Sequence, residues 1–249
     1  MKYLAFIWSP GRSAPEELAV MRAELPGYIE EMERRGVRLL GRELDLPETA
    51  ALVRVRDGET LVSDGPFAET KELVAGIDLL DCADLDEAVE VMAKGPVTWF
   101  KTVEIRPFAG EPELSEQVPA FGRGEDDAGC PYLLAAWANG TAGTREAPGT
   151  REAPGTREAP GEAGAWRRDV RARGSYVLGG PLGDAGTATT VRVRDGQTQL
   201  APGPATGTRT FVAGIDVVRC AERRQAIELA AAHPLARTHT IEVRPFYVG

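Results

Sequence analysis

Residues 53–108 recur as residues 191–246 without a gap, and about 26 of the 56 aligned pairs are identical. Val53-Arg54-Val55-Arg56-Asp57-Gly58 returns as Val191-Arg192-Val193-Arg194-Asp195-Gly196, and Glu104-Ile105-Arg106-Pro107-Phe108 returns as Glu242-Val243-Arg244-Pro245-Phe246. Chance does not produce such a match, so the chain is a tandem duplication of one unit. The starts also correspond, Tyr3-Leu4 to Trp8 against Tyr132-Leu133 to Trp137, at a different offset. Three copies of Thr-Arg-Glu-Ala-Pro-Gly over 144–161 absorb the difference. A Pro and a Gly in each copy forbid a continuous helix, so this insertion reads as a flexible surface loop. The expected division is one domain over 1–109, an acidic linker over 110–130 and a second domain over 131–249.

Each copy carries one pattern of elements. Residues 2–8 are apolar without alternation, which predicts a strand buried on both faces. Leu18, Met21, Leu25, Ile29 and Met32 recur at helical spacing, with a kink expected at Pro26-Gly27 and an end at Gly36. Residues 52–56 alternate, Asp57-Gly58 signals a two-residue turn, and Thr60-Leu61-Val62 returns. A strand over 72–82, a helix capped by Asp84 with Glu87, and a strand over 101–108 follow. The order β-α-β-β-α-β is that of a ferredoxin-like unit, an α+β fold. Such a unit covers one sheet face with helices and leaves the other bare. The twin copy is the natural cover, which predicts two units packed sheet to sheet as an intramolecular dimeric α/β barrel. Further pairing between two chains is left open.

Composition narrows the function classes. A net charge of −9 argues against binding nucleic acid through its phosphates. No apolar run nears the roughly 20 residues that span a bilayer, so no membrane role is expected, and the short apolar start reads as a strand rather than a signal peptide. Cys82, Cys130 and Cys220 lack CxxC spacing and suggest neither disulfides nor zinc, and a cytoplasmic location is the default. No glycine-rich loop follows a strand, and neither a metal nor a cofactor is expected.

The stretch from Val62 through Asp64-Gly65-Pro66-Phe67 to Glu72 resembles the signature of the DGPF branch of the YCII-related family, and the likeness extends over most of residues 1–108. The second copy has Pro202-Gly203-Pro204-Ala205 at that place. The resemblance implies the dimeric α/β-barrel fold, shared with small cofactor-free lyases, isomerases, cyclases and monooxygenases. It nominates Asp64 as a catalytic carboxylate, in a buried loop beside Phe67. Its gene-context likeness to accessories of sigma factors implies an alternative, a non-catalytic ligand-binding or transcription-linked protein. Related proteins resemble His–Asp dyad enzymes, yet the first copy has no histidine. His233 reads as a cation at a helix end and His239 as a strand residue at the surface or barrel mouth.

Strand alternation supplies the other candidates. Val53 and Val55 facing the helices put Arg54 on the opposite face, with Glu104, Arg106 and Asp78. The second copy contributes Arg192, Asp216, Glu242 and Arg244. If that face is the barrel interior, these charges pair with one another or with a ligand. A salt-bridged layer is the competing arrangement. Trp8 and Trp137 end the two first strands and wall the space or simply pack. The expected chemistry is proton transfer by Asp64 or Asp78 on a small-molecule substrate, with Arg54 and Arg106 holding developing negative charge.

Overall fold

In the computed structural model, the described residues are 1–11, 13–67, 73–124, 129–139, 161–205 and 210–248. Almost all of the repeat insertion lies outside them. The first copy runs β1 (Lys2–Ser9), α1 (Pro15–Arg34), β2 (Arg38–Glu43), β3 (Ala51–Arg56), β4 (Glu59–Asp64), β5 (Leu73–Asp81), α2 (Leu85–Lys94), α3 (Val97–Phe100) and β6 (Thr102–Pro107). Then come β7 (Glu113–Leu114) and α4 (Val118–Gly122). The second copy runs β8 (Cys130–Asn139), α5 (Glu162–Ala172), β9 (Tyr176–Pro181), β10 (Thr189–Arg194), β11 (Gln197–Pro202), β12 (Thr210–Cys220), α6 (Arg223–Ala232) and β13 (Thr240–Pro245).

Local signals account for two of these boundaries. Asp84 accepts the Glu87 N–H at 2.9 Å while Glu87 accepts the Ala83 N–H at 2.8 Å, a reciprocal cap that starts α2. Gly36, at φ +72°, ends α1 in the left-handed conformation glycine tolerates. Helix α1 continues through Pro26.

The sheets are ordered β11-β10-β6-β1-β5-β2 and β4-β3-β13-β8-β12-β9-β7. The four strands β6-β1-β5-β2, with α1 and α2, form the expected ferredoxin-like unit, and β13-β8-β12-β9 with α5 and α6 form its twin. Two features go beyond the sequence reading. Strands β2 and β9 complete the four-stranded cores, where the sequence reading had the hairpin strands. The hairpins themselves are exchanged: β3-β4 of the first copy extends the second sheet through β13, and β10-β11 extends the first through β6.

The exchange closes the barrel. After β2, the chain crosses to the other sheet, where Asp45 donates to the Pro245 carbonyl and Tyr247 donates to the Glu43 carbonyl, both at 2.9 Å. After β9, Gly183 donates to the Pro107 carbonyl at 2.8 Å and Ala109 to the Pro181 carbonyl at 2.9 Å. Each hairpin is thus an arm that fastens one unit to the other with backbone hydrogen bonds.

The segment expected to be a linker is structured. Strand β7 pairs with β9, and Val118 and Phe121 of α4 are buried in the core shared by both units. Its charges, Glu111 and Glu116 among them, obscure two apolar anchors. Between the sheets, Leu4, Phe6, Trp8, Ile77 and Leu79 meet Leu133, Ala135, Trp137, Ile215 and Val217 in one apolar core. Among the described residues no helix is long and apolar enough to cross a membrane.

Candidate functional site

The inner walls of the barrel hold two related clusters. Cross-strand pairs share a face. Glu104 is paired with Phe6, Arg106 with Leu4 and Thr102 with Trp8, so all three line the space between the sheets. In the twin, Glu242 is paired with Ala135, Arg244 with Leu133 and Thr240 with Trp137. Alternation along the last strand of each copy places these residues as expected.

Hairpin exchange decides which residues join each cluster. Arg192, on β10, donates to Thr102 Oγ1 at 2.6 Å and therefore belongs with Trp8, Glu104 and Arg106. Arg54, on β3, lies on the same sheet face as Leu52, the partner of Glu242, and belongs with Trp137. The pairing of Arg54 with Arg106 at one site, expected from the sequence, is corrected: the arm carrying Arg54 crosses to the other unit.

Over each cluster sits the loop that follows the exchanged hairpin. In the Trp137 cluster, Gly65 at φ +99° turns the chain so that Phe67 donates its N–H to Glu242 Oε2 at 3.1 Å. The Phe67 ring stacks on Trp137, with centroids 4.8 Å apart and planes 7° apart. In the Trp8 cluster, Gly203 at φ +91° makes the same turn, and Ala205 donates its N–H to Glu104 Oε2 at 3.0 Å. Half-buried Thr190, Arg192, Pro204 and Ala205 form the outer rim of this second cluster.

The two arginines reach across to the opposite unit. Each of β5 and β12 carries a bulge where it pairs with the first strand of its unit. A bulge frees a carbonyl from the ladder. Arg106 donates to the Val212 carbonyl at 2.5 Å and also to the Gly183 carbonyl, and Arg244 donates to the Val74 carbonyl. The arginines remain near their carboxylates, at 3.9 Å for Arg106 and Glu104 and at 3.6 Å for Arg244 and Glu242. Burial lowers the pKa of both guanidiniums from their ordinary value.

Glu104 is 2% exposed. Burial raises its pKa above the usual carboxylate range, and Arg106, the Ala205 N–H and Trp8 only partly oppose that shift. Five buried donors in the clusters make no hydrogen bond among the described residues: the indole N–H of Trp8 and Trp137 and the Nε–H of Arg54, Arg106 and Arg244. The Trp8 indole N–H lies toward Glu104 and lowers its pKa, though outside ordinary hydrogen-bond geometry.

Three expectations are corrected. Asp78 and Asp216 face the helices, not the lumen. The bulge between Val74 and Ile77 shifts the alternation by one residue, so Val74 and Ile77 both point inward while Asp78, opposite Ala5, points outward. Asp78 is held by Arg38 at 2.8 Å, and Asp216 by Arg167 at 2.8 Å, with Tyr176 and His233 each at 3.3 Å. Burial by itself would raise the Asp216 pKa, but Arg167 and His233 outweigh it and hold that pKa below the ordinary value. Asp64 is exposed rather than buried: its side chain is 83% accessible and pairs with Arg223 of α6 at 2.7 Å.

His233 does sit at a helix end, but it is buried, with Nδ1 accepting the Leu235 N–H at 3.1 Å and Nε2 toward Asp216. His239 is buried rather than on the surface, and burial lowers its pKa. Cys82 and Cys220 are buried, their thiols pushed up by burial to about 11 and about 12. Among the described residues no group of three His, Cys, Asp or Glu side chains gathers as metal ligands.

Sequence reasoning missed Arg38, Arg167 and Tyr176. A signal was available in the aligned pair Gly41 and Gly179. A Cβ on Gly41 would lie 1.6 Å from Asp78 Oδ1, and one on Gly179 would lie 2.2 Å from Asp216 Oδ1. The repeated glycine therefore marks where each aspartate tucks against the neighbouring strand.

The family model of the YCII-related domain matches residues 1–109 and 151–248. The second match begins after β8, although β8 is a central strand of the second sheet. An uncharacterized protein of Rhizobium meliloti (strain 1021) is 59% identical over 46 residues, which is 18% of this chain and 37% of that protein.

Proposed function

The chain belongs to the YCII-related domain family, as two fused copies, and from that premise we propose that it catalyses cofactor-independent proton transfer on a small anionic or carbonyl compound at the Trp8–Glu104 cluster. Lyase, isomerase or cyclase chemistry falls within this class. The observation that carries the reading is Glu104 buried beside the unmet N–H groups of Trp8 and Arg106. A buried carboxylate whose pKa is raised is a stronger base than a solvated one, which suits it to take a proton from a bound molecule. The neighbouring donors suit an oxygen on which negative charge develops as a proton leaves carbon. Arg106 is already oriented by its bonds to the Val212 and Gly183 carbonyls, so little rearrangement is needed to offer its remaining N–H. Arg192 at the rim is suited to drawing in an anion.

A second reading has its own support. The barrel interior is filled by apolar side chains, and both arginines are engaged across the interface. That arrangement also suits a ligand-binding or accessory protein without turnover, including one linked to transcription. Incubation of the protein with a panel of small 2-oxo and 3-oxo acids in deuterated water separates the two. Loss of carbon-bound proton signals by NMR is expected with wild type, and a loss of rate of at least about 100-fold with Glu104→Gln. Exchange that is equal in the two proteins would exclude Glu104 as the proton carrier, and no exchange on any acid would favour the non-catalytic reading.

A further inference from the structure

Among the differences between the two clusters is one in the loop above each, at a side chain that the proposed proton transfer does not use. Phe67 and Ala205 occupy matching positions, and each donates its N–H to the carboxylate below it. The backbones thus superpose in function, yet only one carries a ring. Phe67 lies flat on Trp137. Trp8 meets Phe6 at a tilt of 47° and Trp137 nearly edge-on at 72°, and among the described residues no ring stacks on it. Flat stacking on an indole face is favourable beyond the area it buries.

Building on the proposed site at Glu104, we infer that Phe67 is a resident plug, holding in one pocket the place that a planar aromatic ring of the ligand takes in the other. The ligand class is a small aromatic acid or aromatic carbonyl compound. Its ring lies against Trp8 beneath Ala205, and its acceptor oxygen meets the unmet N–H of Arg106 or Trp8. Ala205 is then the residue that determines specificity, and duplication followed by loss of the ring opened one pocket of the pair. The sequence motif marks the closed pocket, and its degenerate copy marks the open one.

The test uses 2-naphthoate as probe, with cyclohexanecarboxylate as the non-planar control, followed by calorimetry and tryptophan fluorescence on the full chain. Wild type is expected to bind one 2-naphthoate per chain, at least about tenfold more tightly than the control. Ala205→Phe should weaken binding by at least about tenfold by installing the second plug. Phe67→Ala should raise the stoichiometry to two. Wild type that fails to bind 2-naphthoate, Ala205→Phe that binds as wild type does, or Phe67→Ala that still binds one equivalent would each overturn the inference. Since Ala205→Phe and Phe67→Ala change opposite pockets, a folding defect in one leaves the other decisive. Unchanged binding in Ala205→Phe, with proton exchange still dependent on Glu104, would remove the plug and leave the proton-transfer reading standing. Exchange independent of Glu104 would remove that reading itself.

Discussion

The two buried aspartates solve one problem, each with an arginine brought from a different element. In the first unit Asp78 is neutralised by an arginine from the neighbouring strand, Arg38, while the helix above contributes Tyr28, whose hydroxyl bonds the Val91 carbonyl. In the second unit the strand position equivalent to Arg38 is Tyr176, and the arginine comes from the helix, as Arg167. The duplicated sequence thus kept the aspartate and the glycine that makes room for it, but not the source of the positive charge. A buried carboxylate needs compensation, not a particular residue at a particular position. The second unit added His233 as a further partner, so its aspartate is held from three sides.

That difference predicts unequal sensitivity. Arg38→Met removes the one charged partner of Asp78 seen among the described residues and should cost about 5 kcal/mol, the upper end for an uncompensated buried charge. Arg167→Met leaves Tyr176 and His233 on Asp216 and should cost about 3 kcal/mol. Urea unfolding followed by far-ultraviolet circular dichroism measures both. Equal losses, or a larger loss for Arg167→Met, would break the comparison.

A second contrast sets Asp216 against Glu104. The pKa of Asp216 is lowered in the folded protein, so its contribution to stability is present above the unfolded value of about 3.9 and is lost as pH falls through the folded value. The pKa of Glu104 is raised, so its effect has the opposite sign: stability is full below the unfolded value of about 4.3 and declines as pH rises through the folded value. Melting temperatures across pH should show Asp216→Asn flattening the acid limb and Glu104→Gln lifting stability at neutral pH. The amide that Glu104→Gln introduces still offers an oxygen to the Ala205 N–H, which keeps the loop in place. A Glu104→Gln protein less stable at pH 7 than wild type would show that the ionised carboxylate is well paired, contrary to its raised pKa.

These cases show where sequence was informative. Alternation placed Glu104, Arg106, Glu242 and Arg244 on the inner face because β6 and β13 run without a bulge where they pair with the first strand of their unit. It misplaced Asp78 and Asp216 because β5 and β12 each insert a residue, which alternation cannot anticipate. The hairpin at Asp57-Gly58 was evident from its turn, with Asp57 at φ 51° and Gly58 at φ 82°. Its exchange to the other unit was not, because a strand's pattern fixes which faces are buried and not which sheet supplies the neighbour. Strand β2 escaped because Gly41 and two arginines interrupt its apolar character, and Gly41 and Arg38 are the residues that accommodate Asp78. The packed role of residues 113–122 was hidden because a few scattered apolar residues, Leu114, Val118 and Phe121, carry it.

The smallest expected effect concerns the motif itself. Asp64 and Arg223 form an exposed pair, and its counterpart in the second copy is absent because Pro202 stands there. Exposed pairs contribute about 0.2–1 kcal/mol and weaken with salt. Asp64→Asn should therefore lower stability by no more than about 1 kcal/mol, with the difference fading in about 1 M salt. If the motif serves chiefly to seat Phe67 on Trp137, the substitution should also leave proton exchange at Glu104 unchanged, since Asp64 lies on the other sheet, on the side facing α6. A loss of exchange as large as that of Glu104→Gln would return the carboxylate of Asp64 to the chemistry, and would mean that the pocket beneath Phe67 is the working one.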